Sequence, residues 1–231
     1  MKPLLYESHE NKGLQALGRA SVQVVHDLKN QINGLKLYAT FLRKRMEKSQ
    51  RPTDELETIH KLLAGLDRTA TDLSLIMQFG QPVELRKQSG VDLQSMMQTI
   101  AASINEDPPT TGALKGILVI DSDGGPLMGE FDAEAISVAL KSISIGAIKM
   151  PGRTQDRTLN VHLEGESLPE GRAGIIEWQG LDGSSHDPFN SFIGSDGVRM
   201  ALAARVVEAH GGTAERSNGT LRVRLPLTTQ A

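Results

Sequence analysis

The sequence predicts a mixed α + α/β protein, in which a helical hairpin precedes a two-layer sandwich of helices and strands. Between about residues 10 and 79, apolar side chains recur every three or four positions, as in amphipathic helices, and the only proline is Pro52. From about Ser89 onward, β-rich runs alternate with helical segments and turn glycines. We therefore expect two domains, at residues 1–82 and 88–231.

The first domain is predicted to be an antiparallel hairpin of two long helices. Pro52 stops the first helix, and Thr53 or Asp54 can cap the second. A lone hairpin leaves much of both apolar stripes uncovered, whereas two hairpins packed as a four-helix bundle bury them. We therefore expect a homodimer in preference to a hairpin that packs on the rest of its own chain.

The second domain follows a linker marked by Gly80, Pro82 and Gly90. Its predicted helices are Val91–Glu106, Phe131–Lys149 and Gly197–His210, the last preceded by a glycine-rich loop. Its predicted strands are Gly116–Asp121, Thr158–Glu164, Ala173–Gln179 and Thr220–Leu225. This alternation indicates the α/β sandwich.

The composition excludes several functional classes. The net charge is −3 and aromatic residues make up 3 %, which argues against a nucleic-acid partner. No cysteine is present, and no histidine pair has metal-ligand spacing, so no metal site is predicted. No apolar run approaches the roughly 20 residues of a membrane span, and the N-terminus lacks a signal peptide. We expect a soluble, cytoplasmic protein without a membrane partner.

His26 is the candidate for catalysis because it lies off the apolar stripe of the first helix. Its neighbours one and two turns on, Lys29, Asn30 and Asn33, are all polar. An exposed imidazole is a good nucleophile when an acceptor such as Asp27 fixes the tautomer through the other ring nitrogen. The alternative is that His26 is an ordinary solvated surface residue.

The segment His26-Asp27-Leu28-Lys29-Asn30 closely resembles the phosphoacceptor box of two-component histidine kinases. The segment Ala204–Thr213 is similar to the helix and turn that close the ATPase domain of that family. The resemblance covers about residues 10 to 228. It implies a hairpin for dimerisation and histidine phosphotransfer, followed by a histidine-kinase-type ATPase-like sandwich. The spacing of Asp27 and Asn30 also resembles the family motif for phosphatase activity toward receivers.

The nucleotide site that the resemblance implies is altered on the helix that carries its magnesium ligand. The family uses asparagines where this chain has Ser142 and Gly146, and glycine has no side chain to offer a metal. The family aspartate that accepts the adenine amino group is replaced by Trp178, near Gly180, and an indole only donates. The alternative interpretation is that Trp178 is an ordinary residue of the hydrophobic core.

The glycine-rich phosphate loop of the family is altered as well. It corresponds to Gly194, Gly197 and Arg199, so that an arginine replaces the last glycine. Asp196 adds a negative charge where phosphates would lie, and the lid at residues 183–193 is short.

These departures shift the resemblance toward dimeric histidine phosphotransferases with a degenerate ATPase domain. In that interpretation His26 is the nucleophile, Asp27 orients it, and Lys29, Asn30 and Asn33 contact the phosphoryl group or the receiver. The partners are response-regulator receiver domains, which bring the magnesium, and the chain itself holds no cofactor. The alternatives are a sensor histidine kinase with an atypical ATP site and a non-catalytic scaffold that docks response regulators.

Overall fold

The computed structural model describes residues 4–48, 53–106, 110–111, 114–115, 117–150, 158–169, 171–181, 187–191 and 194–228. The chain divides into two compact units, Met1–Pro82 and Val83–Ala231. None of the described helices is both long and apolar enough to cross a bilayer.

The first unit is the predicted hairpin of long helices, α1 (Leu4–Lys48) and α2 (Thr53–Phe79). The helices are antiparallel, since Lys36 of α1 pairs with Asp67 of α2, while Gly80 lies against Val22. Ala39 and Leu63 are buried between them. Thr53 is the first helical residue and not a preceding cap, and Pro52 lies outside the described residues.

The second unit contains the predicted sandwich. Its helices are α3 (Leu93–Glu106), α4 (Ala133–Lys149) and α5 (Gly194–Ala209), with a 3₁₀ turn at Pro188–Asn190. Its strands are β1 (Gln88–Asp92), β2 (Thr110–Thr111), β3 (Leu114–Lys115), β4 (Ile117–Asp123), β5 (Met128–Phe131), β6 (Thr158–Leu168), β7 (Gly171–Gln179), β8 (Thr213–Ser217) and β9 (Thr220–Leu227).

The main sheet has the strand order β4-β6-β7-β9-β8, in which β4 and β6 are parallel and the other neighbours antiparallel. Alternate residues of β6 and β9 are apolar, so one face of the sheet is apolar and packs against the helices. The opposite face carries two ion pairs between strands, Arg222 of β9 to Glu177 of the neighbouring β7, and Arg224 of β9 to Glu166 of β6, one strand farther. These two layers confirm the predicted sandwich architecture.

Two helices begin later than predicted because short strands and caps precede them. Asp92 ends β1, and its carboxylate accepts hydrogen bonds from the backbone N–H groups of Gln94 and Ser95, so α3 starts at Leu93 and not at Val91. Phe131 ends β5, and Asp132 caps α4 by accepting from the N–H of Ala135 at 3.0 Å.

The strands β1, β2, β3, β5 and β8 were not predicted. β1 and β5 form a separate antiparallel pair, β2 pairs with β3, and β8 is the edge strand beside β9. All five are short, and β8 has the mostly polar sequence Thr-Ala-Glu-Arg-Ser. Their pairing partners lie far along the chain or across a tight turn, so local apolar alternation gives a weak signal for them.

The motif that ends α5 has a structural basis in a buried histidine and two glycines. His210 Nδ1 donates to the carbonyl oxygen of Val206 at 2.7 Å, and its Nε2 accepts from the N–H of Asp132 at 3.0 Å. Gly211 has a φ of +82°, and a Cβ on Gly212 would collide with the carbonyl oxygen of Arg224. The end of α5 is thereby joined to the start of α4.

We expect the free energy of unfolding to decrease as the pH falls below about 6.5, because His210 takes up a proton on unfolding. Burial lowers the pKa of His210 below its usual value, and a neutral ring is needed for Nε2 to accept from Asp132. The unfolded chain therefore binds the proton more tightly than the folded one. Urea unfolding of the full chain between pH 7.5 and 5.5 should show this loss as about 1 kcal/mol.

The matched variants for this measurement are His210→Gln and His60→Gln. His210→Gln should flatten the pH dependence, whereas His60→Gln, which replaces an exposed histidine of α2, should retain it. Equal pH profiles for the unmodified protein and His210→Gln would contradict the assignment.

Candidate functional site

His26 lies on an exposed side of α1 and contacts two of the predicted site residues. Its side chain is 49 % exposed, and that of Asp27 is 60 % exposed. Its Nδ1 lies 3.4 Å from Asp27 Oδ1 and 3.3 Å from Asn30 Nδ2. Its Nε2 has no hydrogen bond to any residue in the described part of the hairpin. The helix thus brings Asp27 and Asn30 to one ring nitrogen of the exposed His26 and leaves the other nitrogen without a partner within that range.

The two contacts of Nδ1 require different tautomers of His26. A proton on Nδ1 is donated to the Asp27 carboxylate, and Nε2 then carries a free lone pair. An unprotonated Nδ1 instead accepts from the Asn30 amide, and the proton is then on Nε2. Charge assistance favours the first arrangement, in which the Asn30 amide turns its oxygen toward the ring. That arrangement presents a nucleophilic nitrogen to solvent.

The remaining predicted residues of the box lie farther from the imidazole contacts. Asn33 is exposed about two turns beyond His26, on the same side of α1, and Lys29 is half-buried toward α2. Sequence reasoning missed Gln23, whose Nε2 donates to Asp27 Oδ1 at 3.1 Å. The signal that could have found it is its position one helical turn before Asp27.

In the second unit, the position of the family magnesium ligand is closed by a methionine. Gly146 is a buried residue of α4, and Met200 of α5 is 3 % exposed against it. A Cβ built on Gly146 would lie 2.8 Å from Met200 Cγ and closer still to its sulfur. Magnesium prefers oxygen ligands, and a thioether is a poor substitute.

Trp178, at the position of the adenine-binding aspartate, is fully buried in the core. Its Nε1 donates to Ser144 Oγ at 3.0 Å, and the Ser144 hydroxyl donates to the carbonyl oxygen of Leu140 at 2.8 Å. The indole therefore joins β7 to α4, in agreement with its interpretation as a core residue. Gly180 follows with a φ of +77°, which a glycine adopts without strain.

Ser142, the other position of a family asparagine, satisfies its hydroxyl within its own helix. It donates to the carbonyl oxygen of Val138 at 2.8 Å. One turn beyond Gly146 on the same helix, Lys149 Nζ pairs with both carboxylate oxygens of Asp196 at 3.1 and 3.2 Å. This ion pair joins the end of α4 to the first turn of α5.

The prediction of a glycine-rich loop at this place was wrong, because Gly194, Gly197 and Arg199 all lie within α5. Gly197 is close to Ser191, since a Cβ there would lie 3.1 Å from the Ser191 carbonyl oxygen. The missing side chain lets the helix begin early and pack against the preceding segment. Arg199 points to solvent.

Together these residues do not fit a magnesium–nucleotide complex. The metal position has no side-chain oxygen, the adenine position has an indole whose donor is already used, and the lysine is paired with a carboxylate. Within the described ranges, no group of three or more histidine, aspartate or glutamate side chains could hold a metal ion.

Restoring the family residue should destabilise the protein without opening a site. Gly146→Asn is expected to lower the free energy of unfolding by about 1–3 kcal/mol, because the new side chain overlaps Met200. Urea unfolding measures this loss. Gly34→Asn is the matched control, since a Cβ on Gly34 of α1 meets nothing within 4 Å. Met200→Ala combined with Gly146→Asn should recover part of the loss, and equal stability of the two asparagine variants would contradict the packing argument.

No protein-family model matches the sequence, and no curated protein matches it significantly. Among solved structures, the chain is similar to the Acinetobacter baumannii histidine kinase AdeS, with 16 % identity, a TM-score of 0.53, and coverage of 84 % of this chain and 96 % of that one. It is also similar to full-length ShkA in complex with AMPPNP, with 16 % identity and a TM-score of 0.60, over 90 % of this chain but only 46 % of ShkA. The chain therefore has a histidine-kinase-like fold, in which a helical hairpin precedes an ATPase-like α/β domain.

Proposed function

We propose that this chain is a histidine phosphotransferase of a two-component phosphorelay, which carries phosphoryl groups between response-regulator receivers on His26. The observation that carries the proposal is the contrast between the two units. His26 has an exposed imidazole beside a carboxylate that can hold the proton of Nδ1. The nucleotide region, in contrast, lacks the groups that a kinase needs.

The transfer step follows from the chemistry of the imidazole. The Nε2 lone pair attacks the phosphorus of a receiver aspartyl phosphate. The N–P bond forms as the P–O bond breaks, and the aspartate carboxylate leaves with the electron pair. The proton on Nδ1 stays in place, and the carboxylate of Asp27 stabilises the positive ring. Reversal of the step passes the phosphoryl group to a second receiver.

The neighbouring polar residues contact the transferred group or the incoming receiver. Asn30 is within reach of a phosphoryl oxygen, since it lies one turn from His26 on the same side of α1. Lys29 and Asn33 provide a cation and an amide around it. The receiver brings the magnesium that neutralises the transferred charge, because its own aspartates bind the metal.

In this proposal the chain has lost ATP-dependent autophosphorylation and holds no cofactor. Losing the magnesium ligand alone cripples phosphoryl transfer from ATP, since the metal neutralises the developing charge. The closed position at Gly146, the buried Trp178 and the Lys149–Asp196 ion pair all support this loss.

The partner that covers the hairpin is a second copy of this chain. Four large apolar residues of α1 are 43–58 % exposed and lie within about 40° of one another around the helix axis. They are Val24, Leu28, Leu35 and Leu42. Leu62 and Ile76 of α2 are exposed on the same side of the hairpin. Two such faces together form the core of a four-helix bundle.

His26 is placed to remain accessible in that dimer. It lies about 180° around α1 from the exposed apolar strip, at about 100° of rotation per residue. Leu37 and Phe41 are exposed on the His26 side, about three and four turns farther along. An apolar surface beside the nucleophile favours docking of a protein partner, in this proposal the receiver domain.

The second candidate is a sensor histidine kinase with an atypical ATP site. Its support is that both AdeS and ShkA, which share the fold, are named as histidine kinases or bind a nucleotide analogue. The two functions differ in the source of the phosphoryl group, so one labelling experiment separates them.

The full chain should acquire label from a phosphorylated receiver and not from ATP with magnesium. His26→Ala should abolish the labelling, because it removes the nucleophile, while the matched control His60→Ala should keep it. Acid-labile, base-stable label on the protein is the measurement. Label from ATP would support the kinase instead, and no label from either source would leave a scaffold that docks receivers.

Leu35→Glu should convert the dimer to a monomer, because it places a charge in the apolar face that the second copy covers. Light scattering coupled to size exclusion should show the mass fall by about half. Lys44→Glu, an exposed change on the His26 side of α1, is the control and should remain dimeric. A monomeric unmodified protein would overturn this part of the proposal.

A further inference from the structure

Gln23 belongs to a chain of side-chain contacts that reaches the nucleophile. Its Nε2 lies 3.1 Å from Asp27 Oδ1, and the same oxygen lies 3.4 Å from His26 Nδ1. Asn30 Nδ2 approaches Nδ1 from the next turn at 3.3 Å. The contacts form one chain along the helix. Gln23 contacts Asp27, Asp27 contacts His26, and His26 contacts Asn30.

The direction of the Gln23 hydrogen bond is fixed by its partner. A carboxylate only accepts, so the amide nitrogen and not the amide oxygen of Gln23 faces Asp27. An exposed aspartate on a helix otherwise samples several rotamers. One turn of helix separates the two residues, so the bond holds Oδ1 on the side where His26 lies.

We propose that Gln23 is a positioning residue for phosphoryl transfer, an inference that rests on the proposed function of His26. By holding the Asp27 carboxylate toward Nδ1, it keeps the imidazole proton on Nδ1 and the lone pair on Nε2. Gln23 therefore acts through Asp27 and does not touch the phosphoryl group.

The Asn30 amide can pair with either tautomer of His26, whereas the Asp27 carboxylate can only accept. When Asp27 turns away, an unprotonated Nδ1 can therefore take a hydrogen bond from the Asn30 amide nitrogen. The proton then moves to Nε2, which blocks attack on phosphorus. The population of the reactive tautomer, and with it the rate of transfer, depends on whether Nδ1 donates to Asp27 or accepts from Asn30.

The test measures the tautomer and the rate on the same full-length variants. Nitrogen-15 NMR of the histidine ring distinguishes a proton on Nδ1 from one on Nε2, without any receiver present. Gln23→Ala should raise the Nε2-protonated fraction and slow transfer from a phosphorylated receiver by about twofold.

Two further variants separate positioning from a merely structural role. Gln23→Lys restores a donor that reaches Asp27, and should recover most of the Nδ1-protonated fraction and of the rate. Gln98→Ala replaces an exposed helical glutamine of α3 and should change neither. An unchanged tautomer ratio in Gln23→Ala would overturn the inference. If the unmodified protein accepts no phosphoryl group, the proposed function fails, and the NMR comparison still decides whether Gln23 orients the ring.

Discussion

The close packing of α4 on α5 is the constraint on which the second unit depends. It exists because Gly146 has no side chain and Met200 fills the space that a side chain would take. Interiors are packed at crystal-like density, so a side chain at position 146 would have to displace Met200. The same contact fills the position at which the resemblance to histidine kinases would place a metal ligand.

Near this contact, polar side chains at the expected nucleotide position form hydrogen bonds or ion pairs with other residues of the protein. The indole of Trp178 donates to Ser144, and Lys149 pairs with Asp196 across the ends of α4 and α5. Buried polar groups cost free energy unless they are paired, so these internal partners stabilise a domain without a ligand. In the proposed relay, the chemistry takes place on the hairpin.

The site on the hairpin is built from local contacts within one helix, and not from packing between distant segments. Gln23 reaches Asp27 and Asn30 reaches His26 because a helix places residues four positions apart on one side. Asp27 contacts His26 as its direct neighbour in the sequence. All are exposed, so each contact is weak and easily exchanged with water. That weakness suits a nitrogen that must be open to an incoming partner, and it makes the tautomer sensitive to each neighbour.

The sequence by itself determined what is local. It indicated the two long helices, the candidate His26 with Asp27 and Asn30, and the departures from the family pattern at Gly146 and Trp178, because helical periodicity and residue chemistry can be read without knowledge of distant contacts. It placed the helix start at Gly197 instead of Gly194 and missed the strands β1, β2, β3, β5 and β8, because these short segments are ordered by their pairing partners. Only the tertiary structure decided that Met200 fills the place beside Gly146 and that His210 joins α5 to α4, since packing between distant residues has no sequence period.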